Sequence, residues 1–326
     1  MKDRETYYDF LRGIAIVMVI AIHTFPSNMT INEFFPAMLR NLLNCAVPLF
    51  IAISGYFVSN KSLDTKEQRL KFWKRQIPKV YIPCIIFSLP YFFINIYQSK
   101  DILTSLINLI ICGYSIYYFI ALIIQYYLLL PWLKRCKTST TLLIGSCIIS
   151  LVSVSIIAYI LYVAQIKLPL ILYAGLCPLW IAFFSLGIYI REQKPQINIV
   201  SYLILALILL IIAFFETTYY QNYHSGGFGI KPSSFIFSLI IIIILFSENV
   251  KSLYKQTPTT MILEFIGKNS FAVYLTHCFV ISATTIISGL AEFWILRTAI
   301  VLFIDIVLIN IAKRIISPKV HQILGL

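Results

Sequence analysis

The sequence predicts an all-α protein: a single domain over residues 1–326, with about ten membrane-spanning helices and both termini cytoplasmic. Three observations carry that expectation. The 326 residues are 60% hydrophobic and 12% charged, with a mean hydropathy of +0.87, too little polar surface for a water-soluble domain. Apolar runs of roughly 20 residues, enough for about 30 Å of hydrocarbon, recur along the whole chain. The basic residues gather on alternate connections.

The first run, 8–26, is apolar except for Asp9 and Arg12 near its start and His23 near its end. No small-residue cleavage pattern follows it, so it is read as a retained helix. Run 36–58 is next, then "SNKSLDTKEQRLKFWKRQIPK" (59–79), a basic, amphipathic cytoplasmic connection. Run 78–98 is the third span. "KDILTSLINLIICG" (100–113) is too short to cross and is expected to lie on the outer surface or re-enter. Runs 113–133, 141–165, 169–190 and 197–216 follow on short loops. "ETTYYQNYHSGGFGIKPSS" (216–234) is extracytoplasmic, its glycines a turn signal. Runs 230–247, 261–288 and 293–316 complete the set.

With the N-terminus inside, the cytoplasmic connections hold 20 of the 26 Lys and Arg. The outer connections hold four, Lys100, Lys167, Lys231 and Arg297. Topology therefore explains the net charge of +13, and no nucleic-acid motif accompanies it. The seven cysteines form no CxxC and read as small apolar fillers. The four histidines are dispersed without ligand spacing, so no metal is expected. Arg40 and Asp305 are charges inside spans for which the sequence names no partner.

The first span carries a polar seam. Arg12 and His23 are eleven residues apart. At ~100° per residue that is three turns plus about 20°, so both leave one helix face, ~16 Å apart along the axis. Asp9 is placed for an i,i+3 ion pair with Arg12. An arginine costs ~2.5–3.5 kcal/mol at a helix centre on insertion scales, so the seam is expected to face the bundle interior or a water-filled cavity.

Four stretches give the chain a family likeness. "YYDFLRGIAIVMVIAIHTF" (7–25) resembles the start of the acyltransferase-3 family, whose first helix carries an arginine, ten intervening residues and a histidine. "VPLFIAISGYF" (47–57), with Ser54, Gly55 and Tyr56, is similar to the family's second-helix motif. "YYFIALIIQYYLLLPWL" (117–133), with Gln125 and Pro131, resembles its fourth-helix pattern. "IGKNSFAVYLTHCFVI" (266–281), with Ser270, Tyr274 and His277, resembles a late-helix pattern.

The resemblance implies an integral protein of a bacterial cytoplasmic membrane. It would move an acyl group, usually acetyl, from cytoplasmic acyl-CoA to a hydroxyl of a cell-surface or lipid-linked glycan. Acetyl-CoA would be the donor substrate, and the glycan and membrane lipid its other partners. His23 would be the general base, or a transient acyl carrier, and Arg12 would hold a phosphate or pantetheine carbonyl or fix the local field. Lys71, Lys74, Arg75 and Lys79 in "KFWKRQIPKVYIP" (71–83) would meet the CoA phosphates. The family usually has two arginines separated by two residues there; here Pro78 and Lys79 follow Arg75, so the bidentate fork is lost. Ser54, Tyr56, Gln125, Tyr274 and His277 are cavity candidates. Some relatives carry an extra hydrolase-like domain; this chain is expected to deliver directly to its acceptor or through a polysaccharide-assembly protein. A second reading uses the same seam as the permeation path of a polysaccharide or lipid-linked-sugar exporter. A purely structural scaffold fits the charged first helix poorly.

Overall fold

The computed structural model describes residues 5–26, 34–98, 101–223, 227–287, 289–290 and 292–326. Lys2, Arg4 and Lys100 of the charge tally, and residues 224–226 of the longer outer loop, lie outside them. Among the described residues the chain is helical, without a strand: α1 (Thr6–Thr24), α2 (Phe34–Leu43), α3 (Ala46–Val58), α4 (Lys66–Tyr97), α5 (Ile102–Ile110), α6 (Tyr118–Leu133), α7 (Ser139–Ala158), α8 (Leu170–Ala174), α9 (Cys177–Gln193), α10 (Ile199–Tyr223), α11 (Pro232–Phe246), α12 (Glu248–Ser252), α13 (Pro258–Lys268), α14 (Ser270–Thr284), α15 (Trp294–Ile315) and α16 (Pro318–Leu324). Eight helical stretches are long and apolar enough to cross a bilayer; two shorter apolar helices, α11 and α14, accompany them.

Three expected spans are each built from two helices. The breaks fall between α2 and α3, between α8 and α9, and at Asn269 between α13 and α14. Broken backbone at membrane depth is tolerated only where side chains satisfy the freed groups. Gln125 does so for α8–α9: its amide nitrogen donates to the Gly175 carbonyl at 2.7 Å and its oxygen accepts from Cys177 N–H at 3.0 Å. Asn44, at the first break, reaches instead to the loop before α11, donating to the Phe228 carbonyl at 2.9 Å. Asn269 donates to the Phe265 carbonyl at 2.7 Å and accepts from Lys313 Nζ at 2.6 Å.

The basic, amphipathic connection 59–79 is largely helical, continuous with the third span. Thr65 and Gln68 form a capping box that starts α4 at Lys66. Its 32 residues reach ~48 Å, more than the hydrocarbon thickness, so its basic first turns project beyond the bilayer. The short segment after α4 forms α5, nine residues capped by Asp101, too short to cross.

α1 sits at the centre, packed on α13, α3, α15 and α14. Its tightest neighbour is α13, backbone against backbone. A Cβ on Gly267 would stand 1.7 Å from the Asp9 carbonyl oxygen, and one on Gly13 2.0 Å from that of Leu263. α3 and α9 cross the same way, with Gly55 on the Phe184 carbonyl at 2.1 Å and Gly187 on that of Ala52 at 2.0 Å. Lipid offers helices no hydrophobic drive to associate, so close approach over small residues and interhelical hydrogen bonds hold them. Ser146 meets Ser185 at 2.8 Å between α7 and α9, and Thr24 meets Thr298 at 2.7 Å between α1 and α15. The two charges left without partners in the sequence find them here. Asp305 accepts from Thr276 at 2.8 Å, and Arg40 donates to Asn44 at 2.7 Å.

At the basic end of the bundle, assigned to the cytoplasm by the positive-inside rule, Glu5 ties α1 to three other helices. It accepts from Arg191 at 2.8 Å, from Lys251 at 3.2 Å and from Tyr56 at 3.4 Å. Arg191 also donates to the Tyr56 hydroxyl at 2.6 Å. Burial raises the Glu5 pKa, but the bonds and charges of Arg191 and Lys251 outweigh it and hold the carboxyl below its ordinary value of 4.5.

Gly267→Ala places a methyl group against an immovable carbonyl and should cost ~1–3 kcal/mol or more. Gly145→Ala, where a Cβ meets nothing within 4 Å, should be neutral or stabilising by up to ~1 kcal/mol. Thermal unfolding of both variants in detergent checks the contrast, and equal melting temperatures would contradict it. Glu5→Gln should cost on the order of 1 kcal/mol at pH 7. Because the folded pKa is depressed, the Glu5 contribution is present above its unfolded value of 4.5 and lost as pH falls through the lower folded value. Melting curves of wild type and Glu5→Gln should therefore converge in acid.

Candidate functional site

The seam on α1 opens onto space. Arg12 and His23 line one cavity of about 180 Å³, together with Ser54, Phe119, Ser270 and Tyr274. Asp9, fully buried, holds the Arg12 guanidinium at 2.8 Å, and the same group lies 4.9 Å from the Phe57 ring centroid. Helical periodicity puts Arg12 and His23 on one face, and Gly13, about 100° round the helix from Arg12, sets the packing surface against α13 beside that face.

A second, larger cavity of about 720 Å³ begins where the first ends. Both share Val19, His23, Val47, Ile116 and Tyr118 as wall. His23 thus stands at the junction, exposed to internal space though set within the bundle. The larger cavity continues past Arg40, Asn44, Tyr162, Tyr173 and Lys231 to Lys167.

His277 belongs to neither wall but packs its ring against His23, with centroids 5.4 Å apart. Its Nδ1 lies 3.1 Å from the Val273 carbonyl and 2.9 Å from that of Tyr274. Carbonyls only accept, so Nδ1 carries the hydrogen and Nε2 is the lone-pair nitrogen of the neutral ring. Tyr274 donates its hydroxyl to the Ile116 carbonyl, which fixes the wall that both cavities share.

Other residues singled out in the sequence lie elsewhere. Tyr56 lines neither cavity: its ring packs at a tilt against Tyr8, centroids 4.3 Å apart, and its hydroxyl belongs to the Glu5–Arg191 cluster. Gln125 is outside both walls, spent on the α8–α9 break. Ser54 lines the smaller cavity, its hydroxyl turned back to the Phe50 carbonyl at 2.9 Å. Lys71, Lys74, Arg75 and Lys79 are exposed along one face of α4. None of the four lines either cavity, but the next residue, Val80, lines the smaller one.

Sequence reasoning missed the larger cavity. A signal existed: Lys167 and Lys231 are two of the four exceptions to the positive-inside distribution, and Arg40 is a charge within a span. All three converge on this cavity. A third exception, Arg297, instead ties α15 to α14 through Thr284 at 3.2 Å and the Ile281 carbonyl at 2.9 Å.

An amino-acid racemase of Enterococcus faecalis is 31% identical over 156 residues. That stretch is 45% of this chain, and the chain spans only 22% of the racemase's length. No solved structure matches. The family model Acyl_transf_3, described as an acyltransferase domain, matches residues 5–312, from the Glu5 cluster through the helices that build both cavities into α15. An integral membrane protein with ionisable groups lining cavities among its helices, this chain belongs to the Acyl_transf_3 family of acyltransferases.

Proposed function

We propose that the protein is an O-acyltransferase that takes an acyl group, acetyl in the first instance, from cytoplasmic acyl-CoA and places it on a hydroxyl of a cell-surface or lipid-linked glycan. The observation that carries this reading is the position of His23, in the wall of two cavities that approach it from opposite ends of α1. A donor confined to one side and an acceptor confined to the other need such a meeting point.

In this account the smaller cavity admits the donor. At about 180 Å³ it is below the ~300–1,000 Å³ of typical ligand pockets, so it suits an extended acyl-pantetheine arm rather than a nucleotide. The nucleotide stays outside, its phosphates drawn by Lys71, Lys74, Arg75 and Lys79 on the projecting part of α4. Arg12, oriented by Asp9, supplies a fixed positive charge along the arm's path.

His23 acts as general base. It takes the proton of the acceptor hydroxyl as the oxygen attacks the thioester carbonyl. The new C–O bond forms, the C–S bond breaks, and the imidazolium returns its proton to the leaving thiolate. No change of oxidation state occurs and no metal is called for. The neutral ring of His277, its Nδ1 hydrogen committed to backbone, packs beside His23 and limits its rotation.

The test is transfer of labelled acetyl from acetyl-CoA to glycan in membranes containing the protein. His23→Ala and His23→Gln should each lower the rate by ~10²–10⁴ at unchanged membrane insertion. Arg12→Gln should lower it as well, with Arg12→Lys recovering part of the loss. Movement of glycan across the membrane without acetyl-CoA, unaffected by the His23 variants, would establish the exporter reading instead.

A further inference from the structure

The larger cavity has a charge of one sign. Arg40, Lys167 and Lys231 line it, and among the described residues no carboxylate does. Lys231 is the unusual member, a lysine only 1% exposed. Its ammonium donates at 2.5 Å to the side-chain oxygen of Asn41, itself fully buried. Arg40 donates to the amide oxygen of Asn44 at 2.7 Å and lies 5.8 Å from the Phe25 ring centroid. Both cations are therefore oriented by neutral amides rather than neutralised by acids. Glu216 is near enough to attract Lys231, but its carboxylate accepts from Ser233 N–H at 3.1 Å and from the Tyr220 hydroxyl, outside the cavity wall.

Removing cations from water is costly without a counter-charge, and these two also repel each other across a poorly screened interior. An anion entering the cavity relieves both penalties. Arg40 is also close enough to His23 for their charges to interact, so an anion held there lies beside the proposed base. At about 720 Å³ the space matches pockets that enclose a sugar-sized ligand.

We propose that this cavity is the acceptor site and that the acceptor is an acidic glycan, bearing a carboxylate or phosphate that Arg40 and Lys231 bind while Lys167 draws it in at the rim. The inference rests on the acyltransferase reading for the word acceptor; its anion selectivity is measurable without any acyl transfer.

Full-length protein in zwitterionic nanodiscs is titrated with tetragalacturonate, a short glycerol-phosphate oligomer and neutral maltotetraose. At least one acidic probe should bind about tenfold or more tightly than maltotetraose, and added salt should weaken it. The tighter of the two names the carboxylate or the phosphate as the natural group. Arg40→Gln and Lys231→Met should each weaken the acidic probe by about tenfold, with Arg40→Lys and Lys231→Arg retaining most of the affinity. Should burial of Lys231 make its variants unstable, Lys167→Gln at the exposed rim gives a milder weakening of the same sign. Equal binding of acidic and neutral probes, absence of acidic binding, or indifference to Arg40→Gln in a folded protein would overturn the proposal. So would displacement of the acidic probe by coenzyme A, which would make this the donor site. Acidic binding without acetyl transfer would remove the acyltransferase reading and leave the anion site standing; transfer to neutral glycan alone would do the reverse.

Discussion

The carbonyl oxygen of Asp9 lies where a side chain on residue 267 would have to stand. That contact, with its neighbour between Gly13 and Leu263, fixes the height and rotation of α1 against α13, and much else depends on it. Helix geometry then carries the constraint outward. If the glycine side of α1 is locked to α13, Arg12 and His23 must point into the interior, ~16 Å apart along the axis. The second glycine crossing, Gly55 and Gly187, locks α9 onto α3, which supplies Val47, Phe50 and Ser54 to the smaller cavity.

Polar groups in this bundle fall into two kinds. Some satisfy the backbone: Gln125 and Asn269 bond to groups freed where helices break, and Asn44 bonds to the Phe228 carbonyl in the loop before α11. Others face space: Arg12, His23, Arg40 and Lys231 line cavities. The breaks and the cavities are linked physically. An unbroken helix presents no free backbone and few deep recesses, whereas a broken one needs partners and leaves room beside them. The break between α2 and α3 illustrates this, since Asn44 both serves the backbone of Phe228 and orients Arg40 in the larger cavity.

Much of the architecture was legible because the bilayer writes it in simple terms. Long apolar runs reveal spans, alternate basic loops reveal orientation, and the eleven-residue spacing of Arg12 and His23 reveals a shared face. The breaks were not legible. Phe34–Val58 is apolar throughout its length apart from a few polar residues, and hydropathy does not report where a helix bends. Nor was the sorting of polar residues. Tyr56 beside Ser54 and Gly55 looked like a wall residue, but neighbours in a helix point ~100° apart, and Tyr56 meets Arg191 and Glu5 instead. Lys231 and Arg40 are 191 positions apart in the sequence, so only tertiary folding brings them to one cavity.

One histidine, at the junction of two cavities, is proposed to let a donor on one side of the membrane react with an acceptor on the other. Sealed inside-out vesicles test it most directly, with labelled acetyl-CoA supplied outside and glycan acceptor trapped in the lumen. Label should appear in the lumenal glycan and be abolished by His23→Ala while the vesicles stay sealed. Label appearing only when donor and acceptor share the same compartment would contradict it.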